Sequence, residues 1–383
     1  MGPTGDIRWT VDALQSVFNK LDIVSLPYND TGKIFKRFFC FLPVWITNTF
    51  KMPVASLRVF LDKAIRLKLA EFVRIHNDAY LFDQGGDADI IHFQFATLAN
   101  RYSQMVKYGF VHRNAAIACS VRGYDISRNA VVDEIDWNML IKDVSLFLPV
   151  CDFFRPVLER KGFRKVIRVV GSPVDTNKLF HRKKERGTAS TIRIVSVGRL
   201  IEKKGFDDAL KALSIVKQSF GNFRYTIIGN GPLYRMLSNI IFEYGLSGQV
   251  DLKGEMPSGE ALDVMAEADI LIAPSKTGSD GEVEGIPNVL KEAMAMGLQV
   301  IATRHAGIPE LISHGVNGLL VSENSPEEIA GAIEELIINR RAWAARAERA
   351  AISVLEQYAP DKTTQDLMDA YKSILNENQA RQQ

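Results

Sequence analysis

The chain is poor in the features that mark several protein classes. Among 383 residues there are three cysteines, Cys40, Cys119 and Cys151. Their odd number and wide spacing exclude a disulfide framework, no CxxC pair suggests zinc, and a reducing compartment is the simpler reading. No run of about 18 apolar residues exists, so no transmembrane helix is expected. Residues 1–10 (MGPTGDIRWT) lack the apolar core of a signal peptide. A net charge of +2 is too small an excess for a nucleic-acid binder. With 46% hydrophobic residues, the chain can bury two domains.

What is present begins with a local imbalance. From Lys33 to Arg74, nine basic residues (Lys33, Lys36, Arg37, Lys51, Arg58, Lys63, Arg66, Lys68, Arg74) face two acids, Asp62 and Glu71. Phe35, Phe38, Phe39, Phe41, Trp45 and Phe50 lie among them. One reading is contact with an anionic cytoplasmic leaflet, leaving the protein cytoplasmic and peripheral on the inner face of the plasma membrane. The other is a helical insertion with an apolar core face and solvated lysines.

Short β-rich apolar runs alternate with helical patterns, which reads as α/β with parallel sheets. Strands are expected near 22–26, 89–95, 115–121, 144–150 and 165–170, then 191–198, 223–228, 249–253, 269–273, 299–302 and 318–321. The clearest helices are 205–219, 232–244, 258–266, 287–296 and 326–336. The charged stretch 181–190 (HRKKERGTAS) reads as a linker between two doubly wound, Rossmann-like domains, 1–180 and 181–360. An amphipathic tail over 361–383 is placed to return to the first domain. Ligands of such sheets sit beyond the carboxyl ends of the strands, so the cleft between the domains is where the motifs should converge.

The string EGIPNVLKEAMAMG (284–297) carries two glutamates, Glu284 and Glu292, around a helix start at Ile286-Pro287-Asn288. A helix N-terminus suits a diphosphate. A carboxylate on either side of it suits hydroxyls, Glu284 level with a group beyond the phosphates and Glu292 with a ribose. Together they suggest a nucleotide-sugar. In VSVGRLIEKKGF (195–206), a strand ending at Gly198 is followed by Arg199 and Lys204, two cations placed to neutralise the same diphosphate. Gly229 and Gly231 in IIGNGPL (227–233) permit close backbone approach. In LKGEM (252–256), the backbone at Lys253 and Gly254 could meet a nucleobase edge. Taken singly, each motif also reads as an ordinary turn, a solvated loop or chance spacing.

In order, G-R-L-x-x-x-K-G (198–205), I-G-x-G-P-L (228–233), the glutamate string and HAGIPELISHGVNGLLV (305–321) resemble family-4 retaining glycosyltransferases of the GT-B fold. Bacterial polysaccharide and lipopolysaccharide transferases are the nearest in kind. The resemblance is strong over 190–335 and fades toward the start. It implies that Arg199 and Lys204 hold the donor diphosphate, Glu284 the transferred hexose and Glu292 the ribose. Gly285, Ile286, Pro287 and Asn288 would lie against the phosphate or sugar. It further implies a UDP- or GDP-sugar donor, a saccharide or lipid-linked acceptor, and no need for a metal or cofactor.

Departures from the pattern leave alternatives. Arg122 in SVRGYDIS (120–127) occupies a place where relatives often carry histidine, with Gly123 and Asp125 retained. Arg122 either binds phosphate or pairs with Asp125. His92 either faces the acceptor or is packed. Met1–Asp6 has Gly2 and Gly5 but no apolar strand ahead of them, so the first strand and glycine-rich loop are expected to be missing, through truncation rather than replacement. Beside a retaining hexosyltransferase of cell-envelope polysaccharide synthesis stand two other readings: a catalytically impaired nucleotide-sugar-binding protein and a nucleotide-sugar epimerase.

Overall fold

The computed structural model describes residues 47–48, 50–64, 74–76, 78–79, 88–111, 115–182 and 190–382. The strand read at 22–26, the glycine-bearing opening and most of 33–74 and 181–190 lie outside these residues. In the rest, the apolar runs form strands covered on both faces, as parallel sheets require. The first sheet comprises β1 (Ile90–Phe93), β2 (Ala116–Val121), β3 (Leu146–Pro149) and β4 (Val166–Ile167), all parallel and paired in that order. Every residue of β2 and β3 is buried.

The second sheet contains β5 (Ile192–Val197), β6 (Phe223–Ile228), β7 (Val250–Gly254), β8 (Ile270–Ala273), β9 (Gln299–Thr303) and β10 (Leu319–Val321). Its order is β10-β9-β8-β5-β6-β7, parallel throughout. Sequence runs outward in both directions from the β5–β8 pair. That pair is the topological switch point, where connections leave on opposite faces and a crevice opens beyond the strand ends.

Five helices frame the argument: α1 (Ala96–Tyr108), α2 (Phe206–Ser219), α3 (Asn288–Ala295), α4 (Trp343–Tyr358) and α5 (Pro360–Gln382). α2 buries Phe206, Ala209, Leu210, Leu213 and Val216 in a core shared with β5, β6 and the helix Pro326–Ile338. α4 packs on α3, and α5 then crosses to the first sheet. There Ala370, Tyr371 and Ile374 lie with Ala116, Ala118, Leu146 and Leu148.

The helix Thr176–Phe180, within the stretch read as the first domain, packs against α3, so the chain crosses toward the second sheet ahead of Thr176. At that crossing, Val174 N–H donates to the Tyr358 carbonyl (3.1 Å).

The two domains share one apolar seam that includes Val150, Cys151, Phe154, Ile286, Leu290, Ile308 and Tyr358. Polar contacts stitch its margins. Glu310 accepts from the backbone N–H of Asp152 (2.7 Å) and Phe153 (2.8 Å). Ser127 Oγ accepts from Val283 N–H (3.1 Å), and Arg128 pairs with Asp280 at 2.9 Å. Among the described residues, no helix is long and apolar enough to cross a membrane.

Candidate active site

The loops leaving β5, β6 and β8 meet at the switch point, and glycine lets them touch. A side chain at Gly229 (φ +142°) would strike the Gly198 carbonyl at 1.9 Å. One at Gly205 (φ +64°) would strike the Pro274 carbonyl at the same distance. Only glycine holds such a backbone without strain. Beneath these loops lies a cavity of ≈ 460 Å³, within the range of small-ligand sites. Gly198, Arg199, Gly229, Asn230, Met256 and Glu292 are among its lining residues, and Glu255 and Ser258 stand at its far side. A larger recess of ≈ 570 Å³ runs beside the edge strand β4, lined by Arg155, Arg160, Arg164 and Lys165. Arg155, Arg164 and Lys165 there donate to backbone carbonyls. The smaller cavity, at the switch point, is therefore the candidate site.

Of the expected donor residues, Gly198, Arg199, Gly229 and Glu292 line it. α3 starts at Asn288 behind Pro287, with no side chain capping it. Its first N–H groups thus keep the capacity to meet an anion. Glu292 enters the cavity from α3, and burial raises its carboxyl pKa against the counter-pull of Lys291. Gly198 ties the cavity to Glu284: the Lys204 side chain passes over Gly198 and ends with Nζ 2.7 Å from Glu284 Oε1. Lys203 Nζ is 3.3 Å from the same oxygen and 2.7 Å from Glu282. Burial alone would raise the Glu284 pKa, but the ammoniums of Lys204 and Lys203 bring it down to about 2. Glu284 is thus a carboxylate held between cations, one of which passes over Gly198 of the cavity.

Gly231 packs on Leu200, with a Cβ there meeting its carbonyl at 2.5 Å. Gly254 lies at the end of β7 and accepts from Gly229 N–H (2.8 Å). Ile286 is buried in the seam between the domains, and Gly285 lies against Val150. Lys253 lies in β7 with its side chain half-exposed and paired with Asp251 at 2.6 Å, while Glu255 and Met256 just beyond it line the cavity.

The first-domain candidates are also redrawn. His92 Nδ1 bonds Tyr371 Oη (2.6 Å) and Nε2 bonds Ser120 Oγ (2.8 Å). Burial, aided by Arg122, lowers its pKa to about 3. It is a neutral packing residue that joins α5 to the first sheet. Asp125 is buried and accepts from the backbone N–H of Ala96 (2.9 Å), Arg122 (2.9 Å) and Gly123 (3.2 Å). It shapes the turn and offers no group to the cleft. Arg122 does not pair with the Asp125 carboxylate through its side chain. Its guanidinium bonds Gln94 and Ser172 Oγ and stacks on Phe95, and Arg122 is exposed near the domain junction.

Several residues of the site carried no signal of their own in the sequence. Lys203 lies within the string 195–206 and Glu282 just ahead of 284–297, yet neither stands out there beside Arg199, Lys204 and Glu284. Lys291, fully buried beside Glu292, donates to the Ser172 carbonyl (2.5 Å) and lies 4.7 Å from the Tyr358 ring centroid. His305 accepts the Glu284 N–H at Nε2 (3.0 Å) and bonds Glu323 through Nδ1 (2.6 Å). It stands first in HAGIPELI, the one place where its importance was legible.

Known proteins resemble the chain in sequence and in fold. Residues 177–354, just under half of the chain, match the family model described as Glycosyl transferases group 1. The chain is 38% identical over 217 residues to a putative colanic acid biosynthesis glycosyltransferase of Escherichia coli (strain K12), covering 56% of this chain and 53% of that protein. It is 37% identical over 254 residues to an amylovoran biosynthesis glycosyltransferase of Erwinia amylovora, covering 65% and 61%. The chain therefore spans between half and two thirds of the length of these relatives. A solved structure from Anabaena, Alr3699/HepE in complex with UDP, superposes with a TM-score of 0.65 at 19% identity, covering 77% of this chain and 82% of that one. The fold is GT-B, two parallel α/β domains facing a cleft.

Proposed function

We propose that this GT-B chain is a glycosyltransferase of cell-envelope polysaccharide synthesis. In this reading it moves a hexose, with retention at the anomeric carbon, from a UDP- or GDP-sugar to a saccharide or lipid-linked saccharide. One observation carries the reading: Arg199 and Glu292 line one cavity at the switch point, and Lys204, which passes over Gly198 of that cavity, pairs with Glu284 ahead of the uncapped N-terminus of α3. The polysaccharide-assembly roles in the names of the two curated relatives support it.

The roles follow from charge and reach. Glu292 accepts from the ribose hydroxyls inside the cavity. Arg199, Lys204 and the N-terminus of α3 flank the diphosphate. Glu284 accepts from hydroxyls of the hexose. As the anomeric C–O bond breaks, negative charge grows on the leaving phosphate oxygen, where preorganised cations stabilise it more than they stabilise the intact donor. The acceptor hydroxyl attacks the anomeric carbon from the face the diphosphate leaves, and the departing phosphate takes the hydroxyl proton. The cations supply the counter-charge, so the scheme routes no step through a metal or cofactor. Calorimetric titration with UDP, GDP and their hexose conjugates tests the reading, followed by assay against membrane lipid extracts. One nucleotide series should bind, and Arg199→Ala should abolish that binding. No binding of either series would sink the proposal. Binding without transfer or slow donor hydrolysis would support the impaired binding protein instead.

The same proposal places the chain against an anionic membrane surface through the basic segment. Phe50, Val54, Leu57 and Leu61 recur at spacings of four, three and four residues, and each is more than half exposed, with Lys51 and Arg58 between them. Flotation with anionic vesicles at low salt, and its loss in Leu57→Glu, is the expected outcome. Equal flotation with zwitterionic vesicles would remove the electrostatic part.

A further inference from the structure

The loop between β8 and α3 carries Glu284, and both of its ends are tied to one pair of side chains. At its start, Thr277 N–H donates to Glu323 Oε2 (2.9 Å). At its end, Glu284 N–H donates to His305 Nε2 (3.0 Å). The two holders are joined, His305 Nδ1 to Glu323 Oε1, at 2.6 Å. His305 is 1% exposed.

The proton positions follow from the partners. A backbone N–H only donates, so Nε2 must accept, and a neutral ring then carries its proton on Nδ1. Glu323 receives two N–H donors, a task for which a carboxylate has two acceptors and an amide only one. Burial would raise the Glu323 pKa, yet the bonds from His305 and Thr277 lower it. Two non-glycine residues among those described have positive φ: Ala306 (43°) and Asn324 (53°). Each directly follows a member of the pair. Side chains hold this backbone region only where the surroundings impose it, and such positions gather at functional sites.

We infer that His305 and Glu323 are positioning residues that clamp both ends of the 277–284 loop and so aim the Glu284 carboxylate at the donor sugar. The inference rests on the reading of Glu284 as the sugar ligand. The clamp exists for direction more than for strength: Glu284 stays buried between Lys203 and Lys204 only while its backbone is fixed. In Glu323→Gln, the amide can satisfy one N–H but must turn its own NH₂ toward the other. The ring answers by moving its proton to Nε2, where it opposes the Glu284 N–H.

The test uses the full chain. On the wild type without ligand, ¹⁵N ring shifts should show His305 protonated on Nδ1, and the Glu284 amide should be protected from hydrogen exchange. Folded Glu323→Gln should bind free UDP or GDP within about twofold of wild type. Its affinity for the matching hexose conjugate should fall about tenfold, as in Glu284→Ala, and the Glu284 amide should lose protection. A ring protonated on Nε2 in the wild type overturns the clamp. So does unchanged conjugate affinity in Glu323→Gln, or an equal loss for free nucleotide and conjugate. A wild type that binds no nucleotide, with the ring as stated, overturns the donor reading itself and with it the purpose assigned to the pair.

Discussion

Glu284 and Glu292 sit eight positions apart, and their surroundings push them in opposite directions. Lys204 and Lys203 overcome burial at Glu284 and hold its carboxyl at about 2, while burial raises Glu292. Two carboxylates driven apart in this way have different tasks. Glu292→Ala is expected to weaken free nucleoside diphosphate binding by one to two orders of magnitude, since a charge-assisted bond contributes roughly 1.5–3 kcal/mol. Glu284→Ala should spare free nucleotide and weaken only the hexose conjugate. Calorimetry on both variants checks the division, and an equal loss of both ligands in Glu284→Ala would contradict the assignment. The pH dependence carries a sign as well. The Glu284 pKa is depressed, so its ion pairs contribute fully above the ordinary carboxylate range and are lost as pH falls toward about 2. Donor binding should not decline through Glu284 anywhere between pH 5 and 8.

At the scale of elements, the second domain was legible because parallel strands buried on both faces read as apolar runs, and every expected strand from β5 to β10 lies within two residues of its place. α1 fell among the helices expected between strands, without bounds of its own, and α4 was not seen, for a physical reason. The buried face of α1 includes Asn100, Tyr102, Ser103 and Tyr108, and that of α4 includes Ala347, Ala350, Ala351 and Arg346. Neither presents the leucine-rich stripe that periodicity detects. Of the site, the residues in contiguous motifs were readable. The His305–Glu323 pair was not, because it is formed by the fold across eighteen positions.

On α3 itself, Lys291 offers a further test. Its ammonium is fully buried, and that burial brings its pKa to about 7 from 10.5, with Glu292 resisting and Arg122 adding to the fall. Between those values the unfolded chain binds more protons than the folded one, so stability rises with pH. Relative to Lys291→Met, the wild type should gain on the order of 1.4 kcal/mol per pH unit from pH 7 to 9. Denaturant melts across that window measure it, and a flat difference would place the lysine in wetter surroundings.

For the molecule as a whole, α5 and Glu310 carry the expectations. Removing 360–383 uncovers Ala116, Ala118, Leu146 and Leu148 and leaves His92 without Tyr371. The truncated chain should aggregate at temperatures where the full chain stays monodisperse by light scattering. Glu310→Ala removes the acceptor of two backbone N–H groups across the seam, and a larger radius of gyration in X-ray scattering is the expected result.

The two places where the chain passes between domains lie side by side. Val174 bonds Tyr358 through the backbone, and a side chain at Gly171 would meet the Tyr358 ring at 2.8 Å. Two strands pinned together at one spot behave as the spine of a book. The covers can swing about it but cannot slide past each other or twist far. Lys291, gripping Ser172 over the Tyr358 ring, rides at the spine and scarcely moves when the pages part. A group at the open margin travels in proportion to its distance from that line. A modest rotation at Tyr358 would therefore widen the open margin, and its reversal would return both covers to a single register.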